Sequence, residues 1–230
     1  MIILNENLEQ ILVLDEYKSL IWTERYSEYG DFELCIPMQE RILDFVRHNN
    51  YIWHESEECL MIIESIKLVS DLEEGDYLVV TGRSLESILT RRIIWTQTVL
   101  SGNLQNGIKK LLNDAIIAPT DASRKISNFT FKPSTDSTVT ELTVSAQFTG
   151  DNLYEAIKKL CDNVSIGFKV TLTEDDKFQF ELYNGADRSY SQFNNPFVVF
   201  SPTFENIINS NYLNDESSHK TVNLVAGEGE

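Results

Sequence analysis

Residues 82–95, GRSLESILTRRIIW, gather small residues, hydroxyls, a carboxylate and an Arg pair in one short stretch. A Gly–Ser entry into a helix, followed by cations, is the raw material of an anion cradle. Free N–H groups at the helix start take a phosphate and a cation neutralises it. A nucleotide loop needs more glycines and a Lys in the order G-x-x-x-x-G-K-[ST], which this chain lacks. HESEE (residues 54–58) sets carboxylates beside a His, but none of His48, His54 and His219 has a second His or a Cys at metal-ligand spacing. The acidic run EDD (residues 174–176) lacks the D-x-[DN]-x-[DN]-G order of a calcium loop. No G-x-S-x-G elbow presents a serine as nucleophile. Carboxylate pairs of the kind that cleave glycosides do not stand out where acids are this numerous. Cys35, Cys59 and Cys161 are odd in number with no C-x-x-C, which argues against a disulfide framework and a zinc site and for folding in a reducing cytosol. The expectation is a protein with no catalytic residue, no metal site and no cofactor.

The hydrophobic period says which elements would carry these residues. Leu85, Ile88 and Leu89 fall at i, i+3 and i+4, one apolar helix face. Arg91 and Arg92 close its last turn, where cations favour the helix dipole, and Ile93, Ile94 and Trp95 lead into another strand. The stretch therefore reads as a strand–helix–strand connector. Before it, residues 11–15 and 19–30 read as a hairpin, and in DFELCIP the residues Phe32, Leu34 and Ile36 alternate with Asp31, Glu33 and Cys35 until Pro37 ends the strand. Residues 39–46 predict a short helix, 51–53 and 60–69 strands, and 71–76 a turn.

After the connector, Leu104, Ile108, Leu111, Leu112 and Ala115 stripe one helix. Leu153, Ile157, Leu160 and Cys161 stripe another, with Asp151 as its N-cap. Residues 126–131 and 142–148 predict strands joined by a Ser/Thr-rich loop. Ile166, Phe168, Val170 and Leu172 alternate on one side of a TEDDK turn, and Phe178, Phe180 and Leu182 on the other, the clearest hairpin in the chain. From residue 197 onward the reading is strand, loop, strand, polar turn, strand. Val222, Leu224 and Ala226 alternate almost to the last residue, which predicts a natural protein continuing past Glu230. The fold class expected is α+β, mainly β.

The charge balance excludes whole classes of partner. In 230 residues, 36 Asp and Glu face 19 Lys and Arg, a net −17. Phosphate backbones are gripped by Lys and Arg, so no specific nucleic-acid binding is expected. No apolar run approaches the roughly 20 residues that cross a bilayer as a helix. The opening MIILNENLEQ has no basic n-region. A soluble chain without stable membrane insertion is expected.

Five segments, VVTGRSLESILTRRII, FTGDNLYEAIKKL, ELYNGADRS, VVFSPTFENIINSNY and TVNLVAGEGE, occur in an order that resembles the tail-hub (baseplate-hub, tail-associated) proteins of siphophages and prophages. The resemblance runs from Tyr77 to Glu230. It implies two β-rich domains, one a barrel-like relative of the tail-tube subunit. Residues 1–100 with 203–230 would form a discontinuous first domain, and residues 101–202 an inserted α+β domain. It implies a homotrimeric ring closing the distal end of the tail tube, made in the host cytoplasm and ending in the virion's tail tip. Its neighbours would be a distal tail protein or tube subunits, and tail-fibre or receptor-binding proteins. Phage DNA would pass through the ring, where an acidic wall would repel it. No family catalytic residue carries over. Arg91 and Arg92 are expected to meet carboxylates at a subunit or domain contact. The alternative reading is a cell-wall hydrolase or a carbohydrate- or receptor-binding module of the tail tip.

Overall fold

The chain begins with β1 (Ile2–Leu4), which turns into β2 (Gln10–Val13) through a loop organised by Asn5, whose Oδ1 accepts from the amides of Asn7 (2.9 Å) and Glu9 (3.0 Å). There follow β3 (Ser19–Thr23), β4 (Asp31–Pro37), the one-turn helix α1 (Ile42–Phe45), β5 (Tyr51–Trp53), β6 (Leu60–Asp71) and β7 (Gly75–Ser84). This computed structural model describes residues 1–73, 75–207, 209–217 and 222, which divide into two units, residues 1–185 and 186–230. In the first unit the strands above form one antiparallel sheet in the order β2-β1-β5-β6-β7-β4-β3. Consecutive β2 and β3, expected as a hairpin, lie at its two edges. β1, a strand the sequence pattern did not announce, pairs with β2, and β4 pairs with β3.

Phe32, Leu34 and Ile36 enter one core, as their period predicts, together with Ile3, Ile52, Met61, Ile63, Leu78 and Val80, covered by Ile42 and Val46. Half-buried Ile11 and Leu12 of β2, and Leu20 and Trp22 of β3, pack on that same cluster although their strands are the sheet's opposite ends. The sheet therefore folds over its own core in the manner of a barrel, but it is open. No ladder joins β2 to β3 among the described residues. Gly82 is required where β7 crosses close to β6 beside the irregular register at Ile63–Ser65, since a Cβ there would lie 1.8 Å from the Ile62 carbonyl oxygen.

Beyond the connector come β8 (Thr98–Asn103), α2 (Leu104–Leu112) with a π-helical continuation over Asn113–Ile117, β9 (Phe129–Lys132), α3 (Ser137–Thr140), β10 (Thr143–Phe148), α4 (Leu153–Asn163), β11 (Gly167–Leu172) and β12 (Phe178–Tyr183). β8 and β10 pair antiparallel; β11, β12 and β9 form a second small sheet in that order, with β9 parallel to β12. The strands predicted at 126–131 and 142–148 exist as β9 and β10 but belong to different sheets, and helix α3 interrupts the loop between them. The stripes of α2 and α4 meet in a second core with Phe168, Phe178 and Phe180. Leu4, Leu60 and Ile62 join it from the large sheet, so that sheet is buried on both faces.

The cap of α4 corrects the sequence reading. Asn152, not Asp151, occupies the N-cap: its Oδ1 accepts from Tyr154 N (3.0 Å) while its Nδ2 donates to the Thr90 carbonyl (2.8 Å). An Asp in that place has no proton to give Thr90. Asp151 instead accepts from Thr149 N at 2.8 Å.

Among the described residues of the second unit the regular element is a 3-10 turn, Pro202–Phe204. Residues 197–200, expected as a strand, join no ladder. The Asn206 side chain accepts from Ser201 N (2.8 Å) and donates to the Val199 carbonyl (2.7 Å), satisfying backbone groups that a strand partner would otherwise use. The final predicted strand, Val222 to Ala226, lies outside the described residues apart from Val222. Among the described residues no helix is long and apolar enough to cross a membrane.

Candidate assembly surface

The stretch 82–95 is built as a bracket between the large sheet and the second layer. At the end of β7, Arg83 makes a two-pronged pair with Glu64 on β6, both bonds 2.7 Å, and lies over the Tyr29 ring at 4.8 Å. Ser84 then accepts from Gly30 N at 2.7 Å and donates to the Glu86 carboxylate. Glu86, 3% exposed, also accepts from Val170 N of β11 at 2.6 Å, so one side chain joins both layers. Burial pushes its carboxyl above the ordinary range, against the pull of these hydrogen bonds. The predicted helix is a 3-10 helix, Leu85–Arg91, with Leu85, Ile88 and Leu89 buried. The side chains of Arg83, Ser84 and Glu86 are engaged inside the protein, the Ser87 hydroxyl is fully buried without a hydrogen-bond partner among the described residues, and the stretch acts as architecture.

Its exit is different. Arg91 is exposed, and Arg92 donates to the carbonyls of Arg124 and Arg91, both at 3.0 Å. Arg124 in turn donates to the Ile93 carbonyl at 2.7 Å and stands 5.2 Å from the Trp95 ring centroid. Arg91, Arg92 and Arg124 make no ion pair with a carboxylate among the described residues. Partial burial and then the like charges of Arg124 and Arg91 lower the pKa of Arg92. Beside it opens a cavity of about 340 Å³ with Ile94, Leu111 and Ala115 among its lining and Trp95, Asp114, Asp121 and Arg124 at its walls. Trp95, expected to enter a strand, is 69% exposed. Arg124 was not singled out by the sequence; no local pattern ties it to residues some thirty positions earlier.

The other candidates for chemistry resolve into loops and packing. HESEE connects β5 to β6: His54 Nδ1 lies 2.7 Å from Ser56 Oγ, and Glu58 pairs with Lys169 at 2.8 Å. Glu174–Asp176 is the tip of the β11–β12 hairpin. Burial, then the charges of Glu86 and Glu24, push the Cys59 thiol well up, and burial pushes that of Cys161 up to about 12. Both are therefore poor nucleophiles at neutral pH. Among the described residues no three His, Cys, Asp or Glu side chains gather as metal ligands; His219 lies outside them.

Known proteins resemble this arrangement at the level of fold. The prophage tail protein gp18 of Listeria monocytogenes matches with a TM-score of 0.54 at 12% identity, over 78% of this chain and 49% of that one. Two looser matches are the tail protein from Neisseria meningitidis (TM-score 0.45, 15% identity, 75% of this chain and 46% of that one) and the E. coli c3393 protein, a type VI secretion component (TM-score 0.44, 12% identity, 71% and 44%). The chain spans about half the length of these solved proteins. No curated protein matches it. The expected kinship with siphophage tail proteins is met in sequence over residues 1–230, and the chain belongs to the Siphovirus ReqiPepy6 Gp37-like protein family.

Proposed function

We propose that this chain is a structural component of a phage or prophage tail, working by assembly and without a reaction of its own. The observation that carries this reading is the match to a siphovirus family over all 230 residues, together with a fold shared with a solved prophage tail protein. Its finer form is a baseplate hub at the tail tip, assembling as a homotrimeric ring that closes the tail tube and joins it to receptor-binding or wall-penetrating parts. On this reading residues 203–230 return to residues 1–100, residues 101–202 are the insertion, and Arg91 and Arg92 serve a contact between subunits or domains. The net charge of −17 then suits a conduit that DNA must pass without sticking.

Light scattering on the protein tests the ring. A trimer mass is expected, and a strict monomer at high concentration overturns it. Gold-labelled antibody on intact virions is expected at the tail tip; label along the tube or on the head overturns that placement. Zymography on peptidoglycan is expected to show no clearing, and robust clearing would promote the hydrolase instead.

A further inference from the structure

We propose that the cavity between Trp53 and the β11–β12 hairpin is a binding site for an arginine side chain carried by a partner polypeptide. The site rests on the cavity alone and stands whether or not copies of the chain form a ring. It lies within the first unit, where the end of β5 meets β11, and encloses about 550 Å³, a volume in the range of small-ligand pockets. Register explains its apolar wall. Trp53 stands directly opposite Leu60 on the β5–β6 ladder, so both side chains leave the sheet on one face, and Leu4 and Leu172 complete the lining. The indole is 36% exposed, and its N–H donates to the Glu57 carbonyl at 3.0 Å. With that donor spent, what the fixed ring offers a ligand is its π face, the surface that attracts cations.

Charge selects the occupant. The ionisable lining is four carboxylates, Glu57, Glu58, Glu174 and Glu181, against the one ammonium of Lys169. Lys169 is already held, by Glu58 at 2.8 Å and by its cross-strand partner Glu181 at 3.4 Å, and Lys132 adds a second pair to Glu181 at 2.7 Å. Glu57 and Glu174 make no ion pair among the described residues; Glu57 accepts from Ser56 Oγ at 3.1 Å. An anion is repelled by such a lining. A metal ion is not suited either, since no three acidic side chains gather within its reach among the described residues. Two open carboxylates that share a cavity with leucines and an indole fit a long cation instead. Arginine has the matching parts: a methylene stem for the leucines, a plane that stacks on the indole and a fork for a carboxylate. Lysine lacks the plane. A partner is its source because this chain carries 36 Asp and Glu against 19 Lys and Arg, so proteins of opposite charge are the ones drawn to it.

The full chain with isotope-labelled tryptophan is titrated with acetyl-arginine amide and followed by NMR, Trp53→Phe identifying the Trp53 indole signal. That signal is expected to shift saturably while those of Trp22 and Trp95 stay in place. The neutral isostere acetyl-citrulline amide is expected to leave it unmoved. A Trp53 signal indifferent to the arginine probe, or moved equally by citrulline, overturns the proposal. Glu57→Gln/Glu174→Gln, shown to be folded by circular dichroism, is expected to weaken binding by about tenfold or more; undiminished binding overturns the role of the two open carboxylates. Free arginine, whose own carboxylate the lining repels, is expected to bind more weakly than the amide. Equal or tighter binding of the free amino acid overturns the partner as source. None of these results bears on the place of the chain in the tail, which the virion labelling decides separately.

Discussion

Phenylalanine behaves in opposite ways in the two units. In the first, Phe32, Phe129, Phe148, Phe168, Phe178 and Phe180 are none of them more than 7% exposed; in the second, Phe193, Phe197, Phe200 and Phe204 range from 49% to 99%. The residues are equally apolar, so what differs is the layer opposite. Phe168 and Phe180 stack at 5.8 Å between ring centroids as diagonal neighbours on a ladder that pairs Phe168 with Leu182 and Phe180 with Val170, and α4 and the large sheet complete the cover. In the second unit no ladder aligns the aromatic residues among the described ones, and Asn206 takes up backbone groups that a strand would have shared. Alternation in a sequence states which side chains seek cover, and a fold is decided by whether cover arrives.

Truncation should divide the units most sharply. Phe168→Ala is expected to cost about 3–5 kcal/mol of unfolding free energy, as for other filled aromatic core sites. Phe200→Ala should stay within about 0.5 kcal/mol. Urea titrations of both variants decide the matter, and equal costs would mean the second unit has an interior after all.

Glu86 sharpens the comparison from the polar side, because it is a buried carboxyl and the second unit buries none among its described residues. Its folded-state pKa lies above the unfolded one, so the folded chain holds the proton more tightly. The stability this gives is complete below the ordinary carboxyl value near 4.5 and is lost as pH rises through the raised value. Glu86→Gln should therefore match the parent at pH 4 and exceed it at pH 8, by urea midpoint. A gap of the same size at both pH values would refute the assignment. Smallest is the cap. Asn152→Ala is expected to cost about 1 kcal/mol and Asp151→Ala clearly less, measured by thermal melting; the reverse ranking would restore Asp151 as the cap.

Much of the first unit was legible because its signals are local. Period two announced β4, β11 and β12, and the stripes from Leu104 and Leu153 announced α2 and α4, each ending in the core its pattern required. What escaped depends on residues far away in the chain. β1 was too short to show alternation, β2 and β3 were adjacent in sequence yet separated by five strands, and Asp151 and Asn152 are both good caps until Thr90 asks for a donor. The family resemblance gave the expected kinship, and Arg91 and Arg92 were visible as a pair. Their surroundings were not, since Arg124 and the exposed face of Trp95 come together only when the second layer folds back.

That folding back leaves a seam worth following. The Ile94 amide bonds to the Asp151 carbonyl, the Gly150 amide to the Ile94 carbonyl and the Leu153 amide to the Arg92 carbonyl, each at 2.9 Å, in the same few residues where Asn152 reaches Thr90. Neither the exit of the connector nor the first turn of α4 keeps its peptide groups paired without the other. The two segments are thus zipped into a single opening unit, and deuterium should enter their amides at a common rate although nearly sixty residues of chain separate them.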